Sequence, residues 1–98
     1  MEIIKKEDAG KITIALEGRL DSTTAPELEN EVEASIAGVN ELVFDFDKLE
    51  YVSSAGLRVL LSAQKKMNEQ GTMTLINVSD EIMGIFEITG FVDILNIQ

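Results

Sequence analysis

Ile12, Ile14 and Leu16 alternate with Lys11, Thr13 and Glu17, the period of two that gives a strand one buried and one solvated face. Ile3-Ile4 reads as a strand ahead of it, and Asp8-Ala9-Gly10 between them fits a tight turn, so an antiparallel hairpin is expected. Gly18-Arg19-Leu20-Asp21-Ser22 then reads as a loop, and the period changes. Thr24-Ala25-Pro26-Glu27 has the form of a capping box with proline in the first turn. After it Leu28, Val32 and Ile36 share one helical face, which stops near Gly38. Glu27, Glu29, Glu31 and Glu33 lie on this helix with no basic residue among them, and the i,i+4 pairs 27/31 and 29/33 are like charges.

Residues 41–46 read as a third strand, with Leu42, Phe44 and Phe46 on one face. Residues 55–70 form the second predicted helix, with Leu57, Leu60, Leu61 and Met67 as its buried stripe. Lys65 and Lys66 suit its C-terminal dipole, and Gly71 reads as the C′ stop. Met73, Leu75 and Ile76 make a fourth strand. Ser79-Asp80-Glu81 starts a third helix with the face Ile82, Ile85, Phe86, ending near Gly90. Residues 91–97 fit a short strand or a short helix equally. The order ββαβαβα plus a tail calls for parallel pairs joined by right-handed crossovers, with the opening hairpin adding an antiparallel element. The expected fold class is α/β, a single domain over residues 1–98 with helices packed on a mixed β-sheet.

Ninety-eight residues leave room for one core, and a hydrophobic fraction of 45% is ordinary for a folded protein. No apolar run is long enough for a membrane span or a signal peptide, and Met1-Glu2-Ile3-Ile4 leads straight into strand-like sequence, so the expectation is a cytoplasmic protein. The absence of cysteine agrees with a reducing compartment. With neither His nor Cys, thiol nucleophiles, Ser-His pairs and the usual zinc ligands are gone. No Walker-type loop and no G-x-S-x-G elbow is present, so no enzyme, no cofactor and no metal is expected. The net charge of −10, with eight basic residues spread along the chain, argues against nucleic acid and anionic membranes as partners. It favours a basic protein surface, unless the charge only keeps the chain soluble.

The informative chemistry lies at Tyr51-Val52-Ser53-Ser54-Ala55-Gly56-Leu57-Arg58, where strand and loop give way to a helix. A serine there can cap the helix. It can also carry a phosphate, because a helix N-terminus tolerates added negative charge. The residues alone leave both roles open for Ser53 and Ser54. Gly56 in a first helical turn costs about 1 kcal/mol against alanine, for close packing against a strand or for room beside the serine. Asp21 fits a turn cap or a surface carboxylate. Asp45 and Asp47 invite a reading as a metal pair, but a solvated or loop-facing role suits them better.

Gly18-Arg19-Leu20-Asp21, Thr24-Ala25-Pro26-Glu27-Leu28, Leu42-Val43-Phe44-Asp45-Phe46 and Tyr51-Val52-Ser53-Ser54-Ala55-Gly56-Leu57 stand in the order and at the spacings of the STAS domain, which the whole chain resembles. Within that family it is similar to the stand-alone bacterial anti-sigma factor antagonists. The resemblance implies partner switching. The unphosphorylated antagonist binds an anti-sigma factor that is also a serine kinase, releasing a sigma factor. Phosphorylation of a serine at the start of the second helix breaks the complex, and a phosphatase resets it. Set on the family pattern Asp-Ser-Ser/Thr-Gly-Leu, the acceptor falls on Ser54, with Ser53 as its rival. Asp21, Ser53, Ser54, Gly56, Leu57 and Arg58 become the implied partner surface. The sequence departs from the pattern at Ser53, where the family usually has Asp, and at Ala55. The resemblance leaves open an accessory subunit of a transporter or other complex, and a small-ligand or nucleotide-binding module is a further alternative.

Overall fold

Strand β1 (Glu2–Asp8) pairs antiparallel with β2 (Lys11–Leu20), and Asp8 faces Lys11, so Ala9 and Gly10 alone make the connection. Both have positive φ, 46° and 87°, the form of two-residue turn that matches the twist of the strands it joins. The computed structural model describes residues 1–98.

From β2 onward every pairing is parallel. β2 pairs with β3 (Glu41–Val52), and β3 with β4 (Thr72–Ile76), giving a four-stranded sheet in the order β1-β2-β3-β4. Helices α1 (Ala25–Ser35) and α2 (Ser54–Asn68) are the two crossovers. Both step the same way across the sheet, so the right-handed rule lays them on one face. That face carries Ile14, Leu16, Leu42, Phe44, Phe46 and Leu75, all fully buried. The opposite face shows Thr13, Ala15, Asp45 and Thr74, which are half-buried, and Ile4, which is exposed. Helix α3 (Asp80–Thr89) caps the core with Ile82 and Phe86. The tail forms a 3-10 turn over Phe91–Asp93 and then a parallel bridge from Ile97 to Leu75. It thus takes both helical and extended form, which is why its pattern favoured neither. No helix of the structure is long and apolar enough to cross a membrane.

Two strands run further than their patterns suggested. The stretch read as a loop from Gly18 continues β2 through Leu20, and β3 extends past Phe46 to Val52. Register explains this. Ala15 pairs with Asp45 but Glu17 with Lys48, and Gly18 with Leu49 but Arg19 with Tyr51, so β3 gains one residue at each step. The inward positions therefore fall at Phe46, Leu49 and Val52, all buried, and the period of two disappears from the sequence while the strand goes on.

Two of the four glutamates of α1, Glu31 and Glu33, find cations on other elements. Lys5 of β1 lies 3.0 Å from Glu31 and donates to the buried Ser35 hydroxyl at 3.1 Å, and Lys66 of α2 lies 3.6 Å from Glu33. On α2 the buried stripe is wider than expected. Val59, Ala63 and Gln64 join Leu57, Leu60 and Met67 inside, while Leu61 is half-buried, because α2 has α1 on one flank as well as the sheet beneath. The Gln64 amide donates to Asn68 at 2.8 Å. Gly71 is not the left-handed stop expected of it, since the cap of α2 is Glu69 in right-handed geometry. Glycine is required there because a Cβ would collide with the backbone carbonyl of Asn40, which accepts the N–H of Thr72 at 2.9 Å.

These two tight places predict opposite outcomes. Ala9→Asn should raise stability by about 0.5–1 kcal/mol, since asparagine tolerates the left-handed region that alanine resists. Gly71→Ala should lower it by about 1–3 kcal/mol through overpacking against backbone. Urea unfolding of the two variants beside wild type reads both, and a loss at position 9 or no loss at 71 would contradict the turn or the close approach.

Candidate functional site

Parallel pairing brings the C-terminal ends of β2 and β3 side by side. The N–H of Ser53 donates to the Leu20 carbonyl at 2.8 Å, one step beyond the last paired residues of the two strands. The β2–α1 loop and the start of α2 therefore meet at one edge of the sheet, the position where open parallel sheets commonly place their functional residues.

The two serines at that edge have separate roles. Ser53 is the N-cap of α2, with extended backbone at φ −90° and ψ 176°. Its hydroxyl accepts from the Gly56 N–H at 3.4 Å, and its carbonyl accepts the Leu57 N–H at 2.9 Å. Ser54 is the first helical residue and is exposed, and its hydroxyl has no protein partner. Gly56 is buried, and a Cβ there would come within 2.7 Å of the Leu20 side chain and 3.1 Å of Val52. Its small size lets the helix start seat on the ends of β2 and β3. Leu57 is also buried, at 6% exposure. These two residues correct the surface inferred from the sequence motif: they shape the site from inside, and neither presents a side chain to a partner. Arg58 is exposed, in a shallow groove between the first turns of α1 and α2 that Ser22, Pro26, Glu29 and Ala55 also line.

Asp21 organises the neighbouring loop. Its Oδ1 accepts the N–H groups of Thr23 at 3.0 Å and Thr24 at 3.2 Å, while Oδ2 lies 3.9 Å from Arg19 Nε. The Thr24 backbone N–H first and the Thr23 N–H second hold its carboxyl below the ordinary carboxylate range; desolvation opposes them, and the Thr24 side chain and the Arg19 charge add lesser contributions. Thr24 departs from the capping-box expectation. Its side chain makes no cap bond to α1; it donates to the Arg19 carbonyl at 2.8 Å and accepts the Asp21 N–H at 2.9 Å. The threonine closes the turn between β2 and α1 on itself, which draws its oxygen away from the helix amides.

Sequence reasoning missed the next contact. The Arg19 guanidinium lies over the Tyr51 ring, 4.5 Å from its centroid, and Tyr51 is 36% exposed. Arg19 and Tyr51 are register partners across β2 and β3, a pairing created by the extra residues in β3 and absent from any local pattern. Asp45 takes the loop-facing role: its Oδ1 accepts the Asp47 N–H and the Asn77 side-chain amide, both at 3.0 Å. No group of three His, Cys, Asp or Glu side chains is placed to hold a metal.

Residues 2–98 match the STAS domain family. The anti-sigma-B factor antagonist of Listeria monocytogenes is 34% identical over 99 aligned residues, spanning 97% of this chain and 85% of that protein. Among solved structures, an anti-sigma factor antagonist from Mycobacterium paratuberculosis superposes with a TM-score of 0.88 at 22% identity, over 98% of this chain and 83% of that one. The Bacillus cell fate determinant SpoIIAA in its phosphorylated form gives 0.77 at 18% identity, over 99% and 91%. At those identities the two structures establish the shared fold.

The Asp21 geometry predicts a pH signature. A carboxyl whose pKa is lower folded than unfolded stabilises the fold above its unfolded value, and that contribution is lost as pH falls through the folded value. Asp21→Asn should therefore be less stable than wild type at neutral pH, and the gap should narrow as pH drops through and below the ordinary carboxylate range. Thermal unfolding of both proteins across that range measures it. A gap independent of pH would remove the charge of Asp21 from the stability of the loop.

Proposed function

The chain belongs to the STAS domain family, and we propose that within it this protein is an anti-sigma factor antagonist switched by phosphorylation of Ser54. In the unphosphorylated state it binds an anti-sigma factor with serine kinase activity, through a surface made of Asp21, Ser53, Ser54 and Arg58. The partner transfers the γ-phosphoryl group of ATP to Ser54 Oγ as the hydroxyl loses its proton. The complex then separates, and a phosphatase restores the hydroxyl. The chain itself catalyses nothing in this cycle.

One observation carries the reading: Ser54 stands exposed with a free hydroxyl because Ser53 has taken over the capping of α2. The Ser53 oxygen is turned in on a first-turn amide, whereas the Ser54 hydroxyl is exposed and open to a kinase. The phosphate adds a charge of about −1.5 to −2 at pH 7, which the positive end of the helix accommodates. Binding is lost through repulsion and desolvation at the interface while the fold persists. The serine at position 53 replaces the aspartate usual in the family, so here the residue before the acceptor caps the helix without bringing a negative charge to it.

Kinase treatment with ATP, followed by mass spectrometry of the peptide holding both serines, separates the two hydroxyls. Wild type and Ser53→Ala should take up one phosphate and Ser54→Ala none. Loss of the cap in Ser53→Ala should lower stability by about 0.5–2 kcal/mol. Undiminished phosphate in Ser54→Ala would move the acceptor elsewhere.

A mimic grades the same effect. Ser54→Asp should keep a native circular dichroism spectrum and weaken binding to the anti-sigma factor by less than phosphate does, because one carboxylate carries less charge. Titration calorimetry of both forms against the partner checks the order, and an unfolded Ser54→Asp variant would refute the tolerance of this helix end for charge.

A further inference from the structure

Of the two arginines in the chain, one is occupied and one is free. Arg19 lies beside the Asp21 carboxylate and over the Tyr51 ring. Arg58 is exposed and takes part in none of the ion pairs of the structure. Glu29 of α1 lines the same groove as Arg58 without pairing with it. In a chain of net charge −10, an exposed arginine left without an ion-pair partner invites a role for its charge.

Its position supplies one. Arg58 is four residues after Ser54 on the same helix, and side chains at that spacing are neighbours, with Cβ atoms about 5–6 Å apart. Helical side chains lean toward the N-terminus, so Arg58 covers the turn that begins at Ser54. That turn holds no acidic residue to compete for it, whereas the first turns of α1 and α3 carry Glu27, and Asp80 with Glu81. The charged group that lines the same groove from another element is Glu29 of α1, and Asp21 in the neighbouring loop is already engaged with Arg19.

We propose that Arg58 is the internal counter-ion of phosphorylated Ser54. Its guanidinium forks onto two phosphate oxygens, the geometry in which arginine binds phosphate most strongly. The inference rests on the reading of Ser54 as the phosphorylated residue. It adds a second half to the switch. Phosphorylation places an anion on the partner surface and withdraws from it the one free arginine, so a single modification reverses two features that a partner reads.

The test uses full-length protein carrying phosphoserine built in at position 54 during translation, with Arg58, Arg58→Gln or Arg58→Lys. Phosphorus NMR follows the second ionisation of the phosphate. The pKa should be higher by about half a unit in Arg58→Gln than in wild type, as expected for an i,i+4 pair involving a multiply charged partner, with Arg58→Lys recovering part of the difference. The Arg58 Nε–H resonance should shift with the same midpoint. Equal pKa values in all three proteins would overturn the proposal, since the helix amides alone would then account for the phosphate environment. Because the phosphoserine is installed without a kinase, this measurement is independent of the kinase assay. Failure of a kinase to modify Ser54 would reject the reading of the site, and a flat series here would reject the counter-ion.

Discussion

The site depends on the parallel pairing of β2 with β3, and above all on its last rung, the hydrogen bond from the Ser53 N–H to the Leu20 carbonyl. Parallel strands end at the same edge of a sheet, so this pairing sets the loop after β2 beside the helix that follows β3. Asp21 and Ser54 are 33 positions apart in the chain and come to one surface for that reason alone. The two extra residues in β3 fix which residues meet. They bring Tyr51 opposite Arg19, and Val52 with Leu20 under Gly56. An ungapped ladder from the Ala15–Asp45 pair would have set other side chains at this edge.

On that frame the residues divide the work by burial. Gly56 and Leu57 lie inside, where the missing Cβ of one and the side chain of the other seat the helix on the strand ends. Ser53 caps the helix at the boundary. Ser54 and Arg58 are exposed and take no part in holding the fold. The cap and the exposed hydroxyl sit on adjacent residues, and only the cap is hydrogen-bonded within the chain.

Electrostatics follow the same separation. The acidic excess of the chain is locally balanced where elements pack, through Lys5 with Glu31 and Lys66 with Glu33. These are exposed or half-exposed pairs, each worth about 0–1 kcal/mol, so they tune the packing of α1 and do not drive it. The drive is burial: the apolar faces of three helices close over one face of the sheet, and the core is continuous from Ile12 to Leu95. Asp21 and Asp45 are carboxylates with structural tasks: Asp21 accepts the Thr23 and Thr24 N–H groups, and Asp45 the Asp47 N–H and the Asn77 amide.

The sequence by itself determined the order of elements, the hairpin, the faces of the helices and the serine pair at the start of α2. Each of these is written in local periodicity or in turn chemistry, which needs no distant partner. It also carried the family, through motifs whose spacing survives in the chain. Only the tertiary structure decided which serine caps and which is free, since both are sound N-cap residues and the choice rests on where β3 stops. It decided that Thr24 closes the β2–α1 turn, that Gly71 answers to the Asn40 backbone, and that Gly56 and Leu57 are interior. It also joined Arg19 to Tyr51 and left Arg58 unpaired. Each of these turns on the registry of strands remote in sequence, and the added residues in β3 erase the period that would have revealed that registry.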